Sequence, residues 1–140
     1  MEITGERVLT LEVLRIQGPG KLSGEISVHG AKNSTLPLLA ASLLCKSEAV
    51  LHNCPLLSDV DTAGRILRTL GCRVRREGHT LTIDSSTLSG DEIPENLMRE
   101  MRSSIVFLGA VVSRLGKARL SFPGGCELGP RPIDLHLAAL

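Results

Sequence analysis

Aromatic side chains are almost absent from this chain of 140 residues, which has two phenylalanines, no tryptophan and no tyrosine. Proteins that bind single-stranded nucleic acid usually stack the bases on aromatic rings, so the sequence disfavours that class of protein. The charge is also balanced, with 16 Lys and Arg against 15 Asp and Glu and a formal net charge of +1. A balanced chain creates no long-range field to attract a polyanion. We therefore expect no nucleic-acid partner.

Long apolar runs and paired cysteines are missing as well. The longest uninterrupted apolar runs, such as Ile105–Leu108, are far too short to cross a bilayer, and residues 1–7 lack the apolar core of a secretion signal. The four cysteines include no C-x-x-C pair, which argues against a zinc site. These absences predict a soluble, reduced, cytoplasmic protein that has no membrane segment and needs no metal or other cofactor.

The apolar pattern predicts an α/β fold whose first repeat unit spans about residues 21–84. A loose extension over residues 1–10 and a strand at Leu11–Ile16 precede it. Within the unit, strands with a period of two residues and helices with a period of 3.6 follow the order β-α-β-α-β-β. Its elements are the strand Glu25–Val28, a helix from about Lys32 to Leu44, the strand Ala49–His52, a helix from Ser58 to Leu70, and the hairpin strands Cys72–Glu77 and Thr80–Asp84.

The helix that begins at Ser58 carries the clearest end signals of the unit. Ser58-Asp-Val-Asp61 resembles a capping box, so we expect the Ser58 hydroxyl to cap this helix. Gly71 marks its end. One face is apolar and is predicted to be buried; it consists of Val60, Ala63, Ile66, Leu67 and Leu70.

A second, incomplete unit is predicted over about residues 95–140. It opens with one long helix from about Glu95 to Leu115, which Gly116 ends. The apolar stripe of this helix is Met98, Met101, Ile105, Leu108 and Val112, and the elements that follow are the strand Lys117–Ser121 and a helix over Ile133–Leu140. The last helix stops within an apolar run and has no cap signal. We therefore expect residues 11–140 to be the N-terminal portion of a longer protein.

A loop rich in glycine and proline surrounds Cys126. Gly124 and Gly125 make the backbone permissive before the thiol, and the prolines Pro130 and Pro132 keep the other side from being helical. Local composition leaves two interpretations open. The loop is either a surface turn with an incidental buried cysteine, or a mobile loop that carries a reactive thiol over a ligand.

Two cations stand at predicted helix openings. Lys32 lies in the first turn of its helix, and Arg131 precedes the helix at Ile133. A cation in this place opposes the helix dipole at a cost on the order of 0.3–1 kcal/mol. Either these side chains are simply solvated, or each cation joins the exposed N–H groups of its helix to bind a phosphate or carboxylate.

Four motifs in order resemble the UDP-N-acetylglucosamine enolpyruvyl transferase family. They are Lys21–Glu25, Gly30–Asn33, Met101–Ser104 and Pro123–His136, within a resemblance that runs from about Val13 to Leu140. The resemblance implies an inside-out α/β barrel of β-α-β-α-β-β units, incomplete in this chain, and a second domain in the remainder of the enzyme. It also implies transfer of the enolpyruvyl group of phosphoenolpyruvate to the 3-hydroxyl of UDP-N-acetylglucosamine, the first committed step of peptidoglycan synthesis.

The same resemblance implies roles for individual residues. Cys126 matches the mobile-loop cysteine that attacks or protonates phosphoenolpyruvate and is alkylated by fosfomycin, while Lys32 and Arg131 match the cations that bind this substrate. The residues that match the sugar-nucleotide site or lie beside it are Asn33, Arg102, Pro132, Asp134, Leu135 and His136. Glu127 replaces the small residue that many members carry, and its carboxylate opposes the thiolate form of Cys126.

Two other functions stay open. Shikimate-pathway enolpyruvyl transferases share the fold but lack the cysteine loop, so Cys126 and Gly30–Asn33 argue against them. The chain could also be a non-catalytic fragment that binds an anion, and we expect residues 1–140 alone to be inactive.

Six residues have no expected role in the site. The histidines are interpreted as strand-end or turn residues, and the cysteines as core filler; they are His29, His52, His79, Cys45, Cys54 and Cys72.

Overall fold

Helices and short strands alternate in the structure, a computed structural model that describes residues 23–121 and 132–140. In chain order they are α1 (Lys32–Ala41), β1 (Glu48–Leu51), α2 (Ser58–Thr69), β2 (Arg73–Glu77), β3 (Thr80–Asp84), β4 (Glu92–Ile93), α3 (Glu95–Glu100), α4 (Phe107–Leu115), β5 (Arg119–Leu120) and α5 (Asp134–Ala139). Two 3-10 segments, Ser42–Cys45 and Arg102–Val106, follow α1 and α3. This mixture confirms the predicted α/β class, and the described strands form two small sheets rather than a closed barrel.

β3 is the central strand of a three-stranded antiparallel sheet with the order β1-β3-β2. Its side chains alternate, so that Leu81 and Ile83 are buried while the residues between and beside them are partly exposed. β2 and β3 are joined by a turn at Gly78 and His79, which confirms the predicted hairpin. β1 lies one residue earlier than the strand predicted at Ala49–His52.

α2 covers one face of this sheet and lies at the centre of the core. The five residues predicted for its buried face are each at most 1% exposed, and the helix packs against α1, α3 and β2. The predicted capping box is wrong. Leu57 occupies the N-cap position, its carbonyl accepts hydrogen bonds from the Val60 and Asp61 amides, and no side chain caps the helix. The first-turn carboxylates instead pair with cations from other elements: Asp59 with Lys32 and Asp61 with Arg76.

The start of the predicted repeat unit differs from the expectation. Residues 25–28 are not a strand, and Ile26 and Val28 are 91% and 85% exposed. Alternating residues form a strand only where a partner strand pairs with them, and none does so among the residues that the structure describes. The strand predicted at Leu11–Ile16 lies outside the described residues. α1 also ends early: the Ser42 hydroxyl donates to the Leu39 carbonyl at 2.7 Å, and the chain tightens into a 3-10 turn.

The long helix predicted over Glu95–Leu115 is wrong in its continuity. The backbone is extended at Met101 (φ −133°, ψ 114°), and a 3-10 segment then leads into α4. The buried Ser104 hydroxyl donates to the Met98 carbonyl at 3.1 Å and thereby ties the two halves together. The break shifts the buried face, which is formed by Met98, Met101, Ser104, Phe107, Ala110 and Val111, while Ile105, Leu108 and Val112 of the predicted stripe are only partly buried.

The last elements are short. Gly116, with φ of 72°, ends α4 as predicted. β5 pairs in parallel with β4, a two-residue strand that the sequence does not predict. α5 has no buried residue. None of the helices within the two described ranges combines the length and the apolar character that a bilayer crossing requires.

Candidate functional site

The openings of α1 and α2 lie side by side and are joined by an ion pair. The Lys32 ammonium, in the first turn of α1, lies 2.8 Å from the Asp59 carboxylate in the first turn of α2. The Lys32 side chain is 45% exposed and that of Asp59 is 25% exposed. The ammonium is therefore held in place from one side and remains open to solvent on another.

No side chain among the described residues caps the start of α1. Ala31 is the N-cap residue and provides no side-chain cap. Its carbonyl accepts hydrogen bonds from the Thr35 amide at 3.0 Å and from the hydroxyls of Ser34 and Thr35 at 3.0 and 2.9 Å. These bonds fix the first turn, and the Ser34 amide also donates to the Ala31 carbonyl, at 3.3 Å. Uncapped N–H groups beside an exposed ammonium are the combination that binds a phosphate or carboxylate.

Asn33 and Arg102 lie on elements that contact one another. Asn33 follows Lys32 in α1 and is exposed, while Arg102 is the first residue of the 3-10 segment and is partly buried. That 3-10 segment packs against α1. The structure therefore brings together the two elements that carry these residues, while their role in sugar-nucleotide binding stays a prediction.

A charged contact holds Glu100, the last residue of α3, which lies two positions before Arg102. The Glu100 carboxylate accepts two hydrogen bonds from the Arg65 guanidinium of α2, at 2.7 and 2.9 Å, and a third from Thr62 at 3.2 Å. The Arg65 hydrogen bond is the main reason why the pKa of Glu100 is lowered. The carboxylate thus stays charged and keeps α3 attached to α2.

The predicted uridine-side residues lie at α5. Pro132, Asp134, Leu135 and His136 are all exposed. Beneath this helix a mostly apolar cavity of about 230 Å³ is lined by Ile105, Leu108, Ala118, Leu120, Ser121, Ile133 and Leu137. Their exposure leaves these four side chains accessible to a ligand, although the described part of the chain does not surround them.

Two predicted residues, Cys126 and Arg131, lie outside the described residues, so their roles stay predictions. Of the other thiols, Cys54 and Cys72 are buried, as expected of core filler, whereas Cys45 is exposed and that interpretation is wrong for it. Burial raises the pKa of Cys54, and burial is also the main cause that raises the pKa of Cys72 to about 11. Both buried thiols are therefore protonated and unreactive near neutral pH.

Sequence reasoning missed Asp59 as a member of this site. The sequence predicts Asp59 only as an acid at a helix opening, because a separation of 27 residues from Lys32 gives no local signal that the two side chains meet. Among the described residues, His, Cys, Asp and Glu side chains do not gather in groups of three or more that could hold a metal ion.

Comparison with known proteins identifies the relatives of the chain. The family model described as EPSP synthase (3-phosphoshikimate 1-carboxyvinyltransferase) matches residues 16–140. UDP-N-acetylglucosamine 1-carboxyvinyltransferase 2 of Caldanaerobacter subterraneus subsp. tengcongensis is 52% identical over 126 residues, which are 90% of this chain and 30% of the relative. The enzyme called UDP-N-acetylglucosamine 1-carboxyvinyltransferase in Desulfatibacillum aliphaticivorans is 48% identical over 130 residues, 93% of this chain and 31% of its own.

A solved structure also resembles the fold. The crystal structure of the enolpyruvyl transferase NikO from Streptomyces tendae superimposes with a TM-score of 0.70 at 31% identity, over 84% of this chain and 25% of that one. The chain thus spans about 30% of the length of the curated relatives that it matches.

Proposed function

The chain belongs to the EPSP synthase family, and we propose that it forms part of a cytoplasmic enzyme that transfers the enolpyruvyl group of phosphoenolpyruvate to the 3-hydroxyl of UDP-N-acetylglucosamine. We use the term full-length transferase for a chain of the relatives' length that contains this segment. The product is a precursor of peptidoglycan. The observation that carries the proposal is the position of Lys32, partly exposed at the uncapped opening of α1 within the motif Gly30–Asn33.

The proposed reaction is an addition followed by an elimination. Protonation of C3 of phosphoenolpyruvate makes C2 electrophilic. The sugar hydroxyl then adds to C2, loses its proton to a general base from the remainder of the enzyme, and forms a tetrahedral intermediate. Loss of inorganic phosphate and of a proton from C3 then restores the carbon–carbon double bond. In this proposal Cys126 is the general acid or a transient nucleophile, and Lys32 and Arg131 stabilise the charge on the carboxylate and phosphate.

The ion pair of Lys32 and Asp59 supports a functional role better than a role in stability. A pair this exposed contributes about 0–1 kcal/mol to folding, while a cation at a helix N-terminus costs a similar amount. The two effects nearly cancel, so the fold gains little from Lys32. What the pair does achieve is to keep an ammonium group beside free helix amides, where an anionic substrate can bind.

Two alternatives have some support. The family model carries the name of the shikimate-pathway enzyme, but the curated relatives named above are UDP-N-acetylglucosamine transferases and are 52% and 48% identical. A non-catalytic fragment that binds an anion is favoured only by the short share of the relatives' length that this chain covers. We rank the UDP-N-acetylglucosamine reaction first on identity.

A phosphate-release assay tests the proposal and separates the alternatives. We expect the full-length transferase to release phosphate from phosphoenolpyruvate with UDP-N-acetylglucosamine and not with shikimate 3-phosphate. Residues 1–140 alone should release none, because the transition state needs donors from several sides and the exclusion of water. Release with shikimate 3-phosphate alone would favour the first alternative. No release by the full-length transferase with either acceptor would leave the anion-binding fragment as the better interpretation.

A further inference from the structure

Two histidines without an assigned role meet at the residues that lead into α1. The ring of His29 stacks on the ring of His79, with centroids 4.7 Å apart and planes inclined by 15°. His29 ends the exposed stretch that precedes α1, and His79 lies in the turn between β2 and β3. The contact therefore joins the residues that precede α1 to the turn of the β2–β3 hairpin.

His79 is itself held firmly by Cys54. The Cys54 amide donates to the His79 carbonyl at 2.7 Å, and the His79 Nδ1 lies 3.0 Å from the Cys54 carbonyl. A carbonyl can only accept, so Nδ1 carries the proton and donates this bond. The two bonds fix both the backbone and the ring of His79, which gives His29 a rigid surface on which to stack.

The next residue, Gly30, fits against the same segment. A Cβ atom at Gly30 would overlap the carbonyl oxygen of Asn53, so only glycine allows the two backbones to approach this closely. Asn53 adopts a left-handed conformation with φ of 57°. Two successive residues before α1 are therefore seated on residues 53, 54 and 79, which together with His29 and Gly30 we call the α1 anchor.

We propose that the α1 anchor positions the substrate-binding end of α1. Within it, the stacked ring of His29 is the part that can be substituted without unfolding the chain. This inference rests on the proposed function of Lys32. One residue, Ala31, separates Gly30 from Lys32, and its carbonyl bonds already fix the turn that follows. Fixing Gly30 therefore fixes the position of the ammonium group and of Asn33 relative to α2.

The exposure of His29 favours a role in positioning over a role in stability. His29 is exposed, and the stretch before it is exposed throughout. Loss of its ring removes little buried surface, so we expect the variants to fold. The stacking energy of an aromatic pair is still enough to change, by about two- to tenfold, the ratio of chains whose α1 start contacts the hairpin to chains in which this contact is broken.

The first test compares three variants of the full-length transferase. His29→Ala removes the stacked ring, and we expect it to raise the KM for phosphoenolpyruvate about two- to tenfold while kcat changes less than about twofold. His29→Phe keeps a planar ring and should restore the KM. His52→Ala is the matched control, because His52 is exposed and its ring contacts Thr80 Oγ1 at 3.3 Å. An unchanged KM in His29→Ala, or an equal rise in His52→Ala, would overturn the inference.

A second measurement needs no turnover. Amide hydrogen exchange of Ser34 and Thr35, whose N–H groups bond to the Ala31 carbonyl, should become faster in His29→Ala and not in His29→Phe. Unchanged exchange in His29→Ala would show that the anchor does not hold the first turn, and would overturn the inference even in an active enzyme. If the unsubstituted transferase shows no turnover, the proposed function fails, while the exchange result still decides whether the stacked ring holds α1.

Discussion

α2 and α5 are both short helices with apolar side chains, yet the structure buries them to opposite extents. Ile66 and Leu67 of α2 are fully buried, whereas Leu135 and Leu137 of α5 are 78% and 52% exposed. α2 contacts α1, α3 and β2, so Lys32, which pairs with Asp59 of α2, lies next to well-packed elements. The predicted site residues at α5 lie on a helix that has no buried residue. The two halves of the proposed site thus differ in how far this chain alone can form them.

The largest effect should come from Cys126, which precedes α5 in the sequence. Cys126→Ser in the full-length transferase should lower turnover by about 100-fold or more, since a positioned general acid or nucleophile contributes at least this much, while UDP-N-acetylglucosamine still binds. Cys126→Asp should retain part of the activity, because a carboxyl group can supply the proton. Turnover and calorimetry measure the two properties.

A matched control for Cys126 is available in Cys45, an exposed thiol. Cys45→Ser should leave turnover unchanged, and mass spectrometry should find a fosfomycin adduct on Cys126 and not on Cys45. Normal turnover in Cys126→Ser would return Cys126 to the interpretation as a structural cysteine.

The next effect tests the packing difference directly. Ile66→Ala should destabilise residues 1–140 by about 2–5 kcal/mol, because it leaves a cavity in the core. Leu135→Ala should change stability by less than about 0.5 kcal/mol, since its side chain is exposed. Urea unfolding of the two variants provides the comparison. Similar losses for both would mean that α5 is packed as well as α2.

The pH dependence of stability should report the buried thiol at the end of α2. Burial raises the folded-state pKa of Cys72 to about 11, above the value of about 8.5 for a free thiol. The folded state therefore holds this proton more tightly, so its contribution is complete below about pH 8.5 and is lost as the pH rises towards 11. Cys72→Ala should lose less stability than the unsubstituted chain between pH 8.5 and 11. Identical pH profiles in urea unfolding would contradict this.

The smallest effect concerns binding at the two helix openings. Lys32→Ala and Arg131→Ala should each weaken phosphoenolpyruvate binding by about tenfold, the cost of one charge-assisted contact, and weaken UDP-N-acetylglucosamine binding less. Lys117→Ala is the control, because Lys117 is 74% exposed, pairs with Asp91 and is not among the predicted substrate-binding residues. Calorimetry on the full-length transferase measures both ligands. Equal losses for both ligands would count against the assignment.

The sequence predicted α2 and the hairpin well because local signals and tertiary packing agree there. The period of 3.6 residues in α2 coincides with the face that the sheet covers, and all five predicted face residues are buried. Glu95–Leu115 failed for the opposite reason: its helical pattern is continuous, but a hydrogen bond from Ser104 to Met98 stabilises a break that periodicity cannot reveal. The prediction of a strand at Glu25–Val28 failed because alternation shows only that a strand can form, and strand pairing also needs a partner strand.

The candidate site was predictable only in part. The apolar pattern that predicts a helix from about Lys32 placed this residue correctly at a helix opening, since such a pattern is local. Asp59 and His79 could not be found in this way, because each meets its partner through the packing of α1 and the hairpin rather than through spacing along the chain. The roles of Cys126 and Arg131 stay predictions.

The contact between Gly30 and Asn53 sets a limit on how this segment can vary during evolution. Every replacement of a glycine adds at least one carbon atom, and here that atom has no space beside the Asn53 carbonyl. In a library that places every amino acid at position 30 and is selected for transferase activity, none of the nineteen alternatives to glycine should therefore survive. At position 29 an exposed side chain leaves room for change, and other planar rings should survive selection. These two adjacent positions would then differ sharply in the substitutions that they tolerate, one constrained by the close approach of two backbones and the other by the need for a flat side chain.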